Sequence, residues 1–598
     1  MALQRQDIVR VNPHLVAWVD EVAGRTRPDS VHWCDGSQEE NSSLVREMLR
    51  QGKLIELDQD EYPNCYLYRS DSSDVARTES STFICTDDKS DAGHTNNWMQ
   101  TGVALNTLYE LFDGCMKGRT MYIVPYIMGP VGSPYARFGV EITDSRYVVI
   151  SLRIMTRMGS TAIEQLGSKD DFVRGIHSMG TLDPKRKYIC HFPETKLIMS
   201  INTNYGGNAL LSKKAHSLRI AGASARLEGW MAEHMLITGI EDENGEVSYI
   251  AGAFPSASGK TNLAMLKPPS GYDRFKILIV GDDIAWLHLD TNGRLCAINP
   301  EAGFFCVAPH TNTRTNPNLM ATIRRNAIFT NVALSPSRTP WWEGKSNLNL
   351  TDSSPMVDWQ GREWKPGGSP AAHANSRFTV SVSQYPSLSP KFADPEGVPI
   401  SAILFGGRRA SLVPLVYEAF SWEHGVLMGA MMNVETTAAA DGKVGVLKRD
   451  PMAMLPFCGY NMGDYFQHWL SFGSKSKKLP RIFQVNWFRT GMDHEFLWPG
   501  YGENLRVLKW ITDRVKGKIN AVKTPIGYVP LPESIDVEGL DLSKSTMENL
   551  LRVDVDGWLE ELASTELFFK SFGDRFPERL WREYHDLVSR LEKKRSAN

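Results

Sequence analysis

Apolar residues recur at helical spacing in HLVAWVDEVAG, directly behind Asn12-Pro13. That pattern predicts an opening helix capped by Asn12, begun by Pro13 and stopped near Gly24. From SKSTMENLL to LVSRLEKK near the other end, apolar and charged positions alternate with the same period and predict two or three helices. Between them, short β-rich runs (MYIVPYIM, RYVVISLRIM, KLIMSIN, FKILIVG and AILFGG) are interleaved with helical ones. The mixture places the chain in the α/β class, with mixed α+β character. Gly- and Pro-rich stretches at 365–370 and 385–397 are expected as surface loops, and no internal repeat is present.

Composition narrows the function classes. The 598 residues suffice for a large core and two domains, at about 150 residues per domain. Hydrophobic content of 42% and charged content of 23% are those of a soluble globular protein. A net charge of −3 gives no reason to expect nucleic acid as a partner. The eight cysteines are scattered without a CxxC or CxxH pair, which reads as reduced and intracellular. MALQRQDIVRVNPHL has neither an export nor an organelle signal, and no apolar run approaches the ~20 residues of a membrane span. The expectation is a cytoplasmic protein with no membrane partner.

Two segments carry chemistry. AGAFPSASGKTNLAM (251–265) ends as a phosphate loop should, with Gly259-Lys260-Thr261 between the strand-like VSYIAGAF and a helix start. A strand, a turn of small residues and a helix present backbone N–H groups and a positive dipole end to an anion. Lys260 would reach the β/γ-phosphates and the Thr261 hydroxyl would hold their metal. Yet the usual pattern wants a glycine six residues before the lysine, where Phe254 stands. The second segment is RFKILIVGDDIAW (274–286), an apolar strand ending in Gly281-Asp282-Asp283. Acidic residues at such a strand end, shortly after a GKT loop, are placed to hold Mg²⁺ beside nucleotide phosphates. A bare GKT recurs by chance; the two elements together predict nucleotide binding.

The ordered set DVARTES (74–80), NYGGNALLSKK (204–214), EGWMAEHMLI (228–237), FPSASGKTN (254–262), GDDIAW (281–286), INPEAGFF (298–305), HANSRF (373–378), FGGRR (405–409) and NWFR…FLWPGYGEN (486–504) resembles the GTP-dependent class of phosphoenolpyruvate carboxykinases. The matches run from about residue 15 to 515. That class uses a phosphate loop without the first glycine, so the resemblance makes Phe254 an expected residue.

The resemblance implies a two-domain fold: an N-terminal oxaloacetate/phosphoenolpyruvate domain (1–229) and a C-terminal P-loop nucleotide domain (230–598) with a mobile lid at about 435–446. The implied reaction, one of gluconeogenesis and anaplerosis, converts oxaloacetate and GTP to phosphoenolpyruvate, GDP and CO2. It implies Mn²⁺ at a first metal site, Mg²⁺ or Mn²⁺ with the nucleotide, and a monomer. By position, Lys214 (as a neutral amine), His234 and Asp283 would ligate the first metal, and Thr261 the nucleotide's metal. Arg77 and Arg377 would hold the substrate carboxylates with Tyr205, Gly206, Gly207, Ser256 and Asn375. Lys260 and Arg408 would neutralise the transferred phosphoryl group, in a loop of Ala257, Ser258, Gly259, Lys260, Thr261 and Asn262. Trp487, Phe488, Phe496, Tyr501 and Asn504 would form the guanine pocket.

Three positions depart from the family pattern. Ser258 replaces a commonly reactive loop cysteine; its hydroxyl should be inert where a thiol beside a lysine would be a strong nucleophile. Cys306 and His310 stand where glycines are expected, in a segment that should lie near the nucleotide. Tyr501 replaces a phenylalanine. Beside the leading reading stand the same reaction with ATP or pyrophosphate, and a nucleotide-binding regulator without catalysis.

Overall fold

The computed structural model describes residues 5–255, 258–346, 355–436 and 445–597. Contacts divide the chain into two compact units. The first takes the chain to Ala92, then Asn96–Ser224 and Pro300–Leu388; the second takes Gly93–Thr95, Ala225–Asn299 and the chain from Ser389 onward.

Among the described residues, the first unit is built on a nine-stranded sheet. Two of its strands, Thr120–Met128 and Arg137–Thr143, pair antiparallel, and the second of these pairs parallel with Val173–Ser178. MYIVPYIM reads as a continuous apolar run because both faces of its strand are covered. Met121 and Ile123 join a core with the helices Pro13–Thr26 and Thr101–Phe112, while Tyr122 and Val124 join another with Gln38–Arg50 and Arg146–Met155.

RYVVISLRIM, read above as β-rich, forms the helix Arg146–Met155. The Ser145 hydroxyl caps it by accepting from the Val148 N–H, and residues Tyr147 to Leu152 are all buried. A helix buried on all sides shows no periodicity, so β-branched content misleads there. The opening helix is capped by Asn12 as expected, its Oδ1 accepting from the Leu15 N–H at 2.9 Å. It runs two residues past Gly24 and closes on Arg27 in the left-handed region. At the other end three helices form: Lys544–Leu551, Val555–Lys570 and Glu578–Ser596.

Residues 300–388 belong with the first unit, although they follow residue 229. Their strands Gly303–Val307, Arg377–Ser381 and Ile328–Thr330 complete a five-stranded sheet with Tyr66–Tyr68 and Leu54–Glu56. A single cut at 229/230 therefore does not separate the compact units: backbone pairing binds the later segment to the earlier one. The second unit holds an eleven-stranded sheet among the described residues, with Val247–Ala253, Val398–Gly406 and Arg481–Val485 parallel at its centre.

One buried carboxylate organises two loops of the first unit. Asp74 Oδ2 accepts from the Asn204 and Tyr205 N–H groups at 2.7 Å each. Its Oδ1 accepts from Lys187 Nζ and Asn208 Nδ2, also at 2.7 Å. The Lys187 and Asp74 side chains are 4% and 0% exposed, so removing either leaves a buried charge uncompensated. Asp74→Ala is expected to destabilise the protein by about 3–5 kcal/mol, read as a lower guanidinium chloride midpoint. An unchanged midpoint would show that the carboxylate carries no such load.

Candidate active site

In the first unit, the loop carrying Arg77 is bracketed by Asn208. The Asn208 amide donates to the Ala76 carbonyl at 2.8 Å and accepts from the Thr78 N–H at 3.2 Å. Gly207 leaves room beside it: a Cβ there would stand 2.6 Å from the Tyr205 ring and 3.0 Å from the Arg77 stem. The Tyr205 hydroxyl donates to the Asn375 carbonyl at 3.0 Å and accepts from Arg377 Nε at 3.1 Å. Arg77, Tyr205, Gly206, Gly207, Asn375 and Arg377 thus form one cluster, with two half-buried guanidinium groups suited to bidentate capture of carboxylates.

The two lysines of NYGGNALLSKK fall in a π-helix, Ser212–Ile220, in which the His216 N–H reaches the Leu211 carbonyl at 2.8 Å. π-Helical turns concentrate at functional positions. Lys213 is buried in an ion pair with Glu301 at 2.9 and 3.0 Å, and Lys214 is half-buried.

In the second unit His234 sits between the strands Met231–Glu233 and Met235–Glu241, and Asp283 follows the strand Lys276–Gly281. Lys260 opens the short helix Lys260–Ala264 behind Gly259, which has a φ of 85°. These side chains converge: Lys260 Nζ lies 2.6 Å, and His234 Nε2 3.0 Å, from Asp283 Oδ1. His234 Nδ1 lies 3.0 Å from the Ala453 carbonyl, which can only accept, so Nδ1 carries a proton. Nε2 faces the Asp283 carboxylate, which the Lys260 ammonium also contacts. An imidazole nitrogen and a carboxylate oxygen are a donor set that a divalent cation accepts. Beneath them, Glu233 is pushed up to about 8 by burial, against hydrogen bonds from Tyr465 and Trp469.

Thr261 and Asn262 stand half-buried in the first turn after Lys260. Ser256 and Ala257 lie outside the described residues. Ser258 is only 2% exposed, so a thiol introduced there would be shielded.

Arg408 is stacked on aromatic rings, its guanidinium carbon 4.2 Å from the Phe488 centroid and 5.8 Å from Phe496. The two rings meet edge to face at 6.0 Å. Burial lowers the Arg408 pKa from the ordinary guanidinium value, with Glu435 opposing. Asn486 joins the two loops, donating to the Arg409 and Val413 carbonyls and accepting from the Phe488 N–H. Phe496 and Tyr501 are each 55% exposed, as stacking platforms must be. Asn504 accepts from Trp498 Nε1 at 2.9 Å, and Trp487 is buried with an indole N–H that bonds to no described residue. Asp74, Asn208 and Asn486 were missed as individual residues, although each lies inside a quoted motif.

Cys306 is buried in the strand Gly303–Val307 opposite Phe378, and His310 follows it; both belong to the first unit, whereas the phosphate loop belongs to the second. His310 has a φ of 63°, which explains why a glycine is expected there.

A model of the phosphoenolpyruvate carboxykinase N-terminal domain matches residues 17–226, and one of the phosphoenolpyruvate carboxykinase C-terminal P-loop domain matches 230–590. The chain belongs to the phosphoenolpyruvate carboxykinase family. It is 51% identical over 587 residues to "Phosphoenolpyruvate carboxykinase [GTP]" of Anaeromyxobacter dehalogenans strain 2CP-C, covering 98% of each chain. Proteins of the same description match from Chlamydia pneumoniae (50% over 594 residues, 97% of this chain and 98% of that one) and Thermoplasma volcanium (48% over 597 residues, 98% and 99%).

The structure also accounts for the phenylalanine in this carboxykinase's phosphate loop. Phe254 is fully buried at the end of the strand Val247–Ala253, and a Cβ on Gly406 would stand 2.0 Å from its ring. The glycine missing from the loop has a counterpart in FGGRR, where it makes room for the ring. Gly406→Ala is expected to cost about 1–3 kcal/mol by overpacking, and Phe254→Gly about 3–5 kcal/mol through the cavity it leaves. Thermal denaturation of both variants checks this; a neutral Gly406→Ala would refute the packing argument.

Proposed function

We propose that this chain decarboxylates oxaloacetate and phosphorylates the resulting enolate with GTP, giving phosphoenolpyruvate, GDP and CO2. Family membership over nearly the whole chain supports the reaction. The observation that carries it is the convergence of Lys260 and His234 on Asp283 Oδ1.

Arg77 and Arg377 bind the substrate carboxylates; the Tyr205 hydroxyl fixes the Arg377 fork by accepting from its Nε. Loss of CO2 leaves an enolate whose oxygen attacks the γ-phosphoryl group in line. Lys260 and Arg408 place positive charge around that group, and the Phe488 ring holds the Arg408 guanidinium in plane. His234 and Asp283 would hold the first divalent metal, and on the family pattern Lys214 would be its third, neutral ligand. When bound, the metal supplies a Lewis acid for charge developing on the enolate oxygen. Mn²⁺ is proposed there, and Mg²⁺ or Mn²⁺ with GTP at Thr261. The loop 256–262 cradles the phosphates, Ser256 and Ala257 included. Phe488, Phe496 and Tyr501, with Trp487 and Asn504, receive the guanine ring. The protein is proposed to act as a cytoplasmic monomer; among the described residues no helix is long and apolar enough to cross a membrane.

The enolate must also be kept from water, or protonation gives pyruvate. The lid proposed at about 435–446 lies mostly outside the described residues, which stop at 436 and resume at 445. Its flanks support the reading. Asn433–Glu435 and Leu447–Arg449 form an antiparallel ladder, so the segment leaves and returns at one place. Glu435 ties that ladder to the loop of Arg408: its N–H donates to the Arg408 carbonyl at 2.9 Å, and its carboxylate accepts from the Ala410 N–H at 2.6 Å.

Formation of phosphoenolpyruvate and CO2 from oxaloacetate, compared across GTP, ITP, ATP and pyrophosphate, tests the reaction and the donor. Equal or better activity with ATP would overturn the guanine assignment. Asp283→Asn or His234→Ala should lower turnover at least about 100-fold, and near-normal activity at low Mn²⁺ would rule out the metal site. Shortening the lid around 438–442 should shift product from phosphoenolpyruvate to pyruvate. Phosphoenolpyruvate formed at the normal rate by that variant would place the lid elsewhere.

A further inference from the structure

Far along the chain from these residues, the segment HWCDGSQEE (32–40) brings an imidazole, a thiol and a carboxylate together. His32 ends toward one face of the strand Ser30–Trp33, and Cys34, two residues on, falls on the same face. Glu40 lies in the first turn of the helix Gln38–Arg50 that follows at once. The ligand atoms of His32, Cys34 and Glu40 all lie within 4.8 Å of one another. His32 Nε2 is 2.7 Å from Glu40 Oε1.

We propose that His32, Cys34 and Glu40 form a binding site for a zinc-class divalent cation, separate from the metal sites of the reaction. Imidazole, thiolate and carboxylate are the three donor types that Zn²⁺ takes, and three protein ligands leave a fourth position for water. A thiolate and a carboxylate neutralise the charge of a divalent ion. Burial, and then the neighbouring Glu40 and Asp35 carboxylates, raise the Cys34 pKa, and the same two carboxylates favour a cation there. On binding, the thiol proton passes to water as the S–metal bond forms.

The frame is preorganised. Glu40 cannot swing away, because its carboxylate accepts from the Asp35 and Gly36 N–H groups at 3.1 and 2.9 Å while Ser37 Oγ caps its own N–H. The Cys34 N–H is tied to the Ile123 carbonyl at 2.9 Å. Beyond it the turn is pinned by close backbone approach: a Cβ on Gly159 would stand 2.0 Å from the Asp35 carbonyl, and one on Gly36 2.8 Å from that of Met158. His32 is the adjustable member, exposed and resting edge-on against Tyr122. A tetrahedral ion holds its ligand atoms roughly 3.3–3.8 Å apart, a distance that rotation of the exposed ring supplies. The open side at His32 is also the entry path.

Cobalt substitution tests this on the full-length protein without reference to turnover. Titration with Co²⁺ should produce a thiolate-to-cobalt charge-transfer band, which the amine, imidazole and carboxylate ligands of the reaction's metal site cannot give. Zn²⁺ should displace it. His32→Gln, at an exposed position that folding tolerates, should weaken the Co²⁺ affinity at least about 100-fold, and Cys34→Ser should abolish the band. No charge-transfer band in the parent overturns the proposal, as does a band of equal affinity in His32→Gln. Because the band reports a thiolate ligand, its absence leaves the assignment of the reaction untouched, and a failed turnover assay leaves this site untouched.

Discussion

The second unit's chemistry depends on a single oxygen, Asp283 Oδ1, which receives both Lys260 Nζ and His234 Nε2. Three strand ends and one helix start must meet within hydrogen-bond reach for this to happen. The Lys260 and Asp283 side chains are 10% and 14% exposed, so much of their hydration is lost, and the pair is sustained by its geometry. An imidazole, a carboxylate and an ammonium group thus meet at one point of the second unit.

That convergence is possible because the neighbouring backbone is packed closely. Phe254 fills the space under the phosphate loop and requires glycine at 406. The next residues of FGGRR, Gly407 and Arg408, run on beside the ladder of Asn433–Glu435 and Leu447–Arg449, where a Cβ on Gly407 would stand 2.4 Å from Val434. From there Arg408 reaches the aromatic pair Phe488 and Phe496. The Phe254 packing, the stacked Arg408 guanidinium and the anchor of the Asn433–Glu435 ladder thus share one short strand exit, FGGRR. A change at any of its glycines would act on all three.

Much of this was legible in the sequence, for physical reasons. Caps, a GKT turn and acidic residues at a strand end are local signals, and Asn12, Lys260 and Asp283 were found by them. The helix Arg146–Met155 was not, because burial on every side erases the periodicity that distinguishes a helix from a strand. The placement of 300–388 in the first unit was also hidden, since strand pairing between Arg377–Ser381, Ile328–Thr330 and Tyr66–Tyr68 leaves no mark on any one segment. Asp74 and Asn208 look like ordinary polar loop residues until the fold shows four groups bonded to one carboxylate.

The first unit buries two carboxylates, Asp74 and Glu301, each paired with a lysine of the same unit. Asp74, three residues before Arg77, accepts from Lys187, Asn208 and two backbone N–H groups. Glu301 is likewise occupied by Lys213, which leaves Lys214 outside that pair. Each of these two buried carboxylates thus has a lysine of the same unit as its partner, Lys187 for Asp74 and Lys213 for Glu301. The cost is a set of buried charges that stabilise the fold only while every partner is present, which ties the integrity of the substrate loops to that of the first unit as a whole.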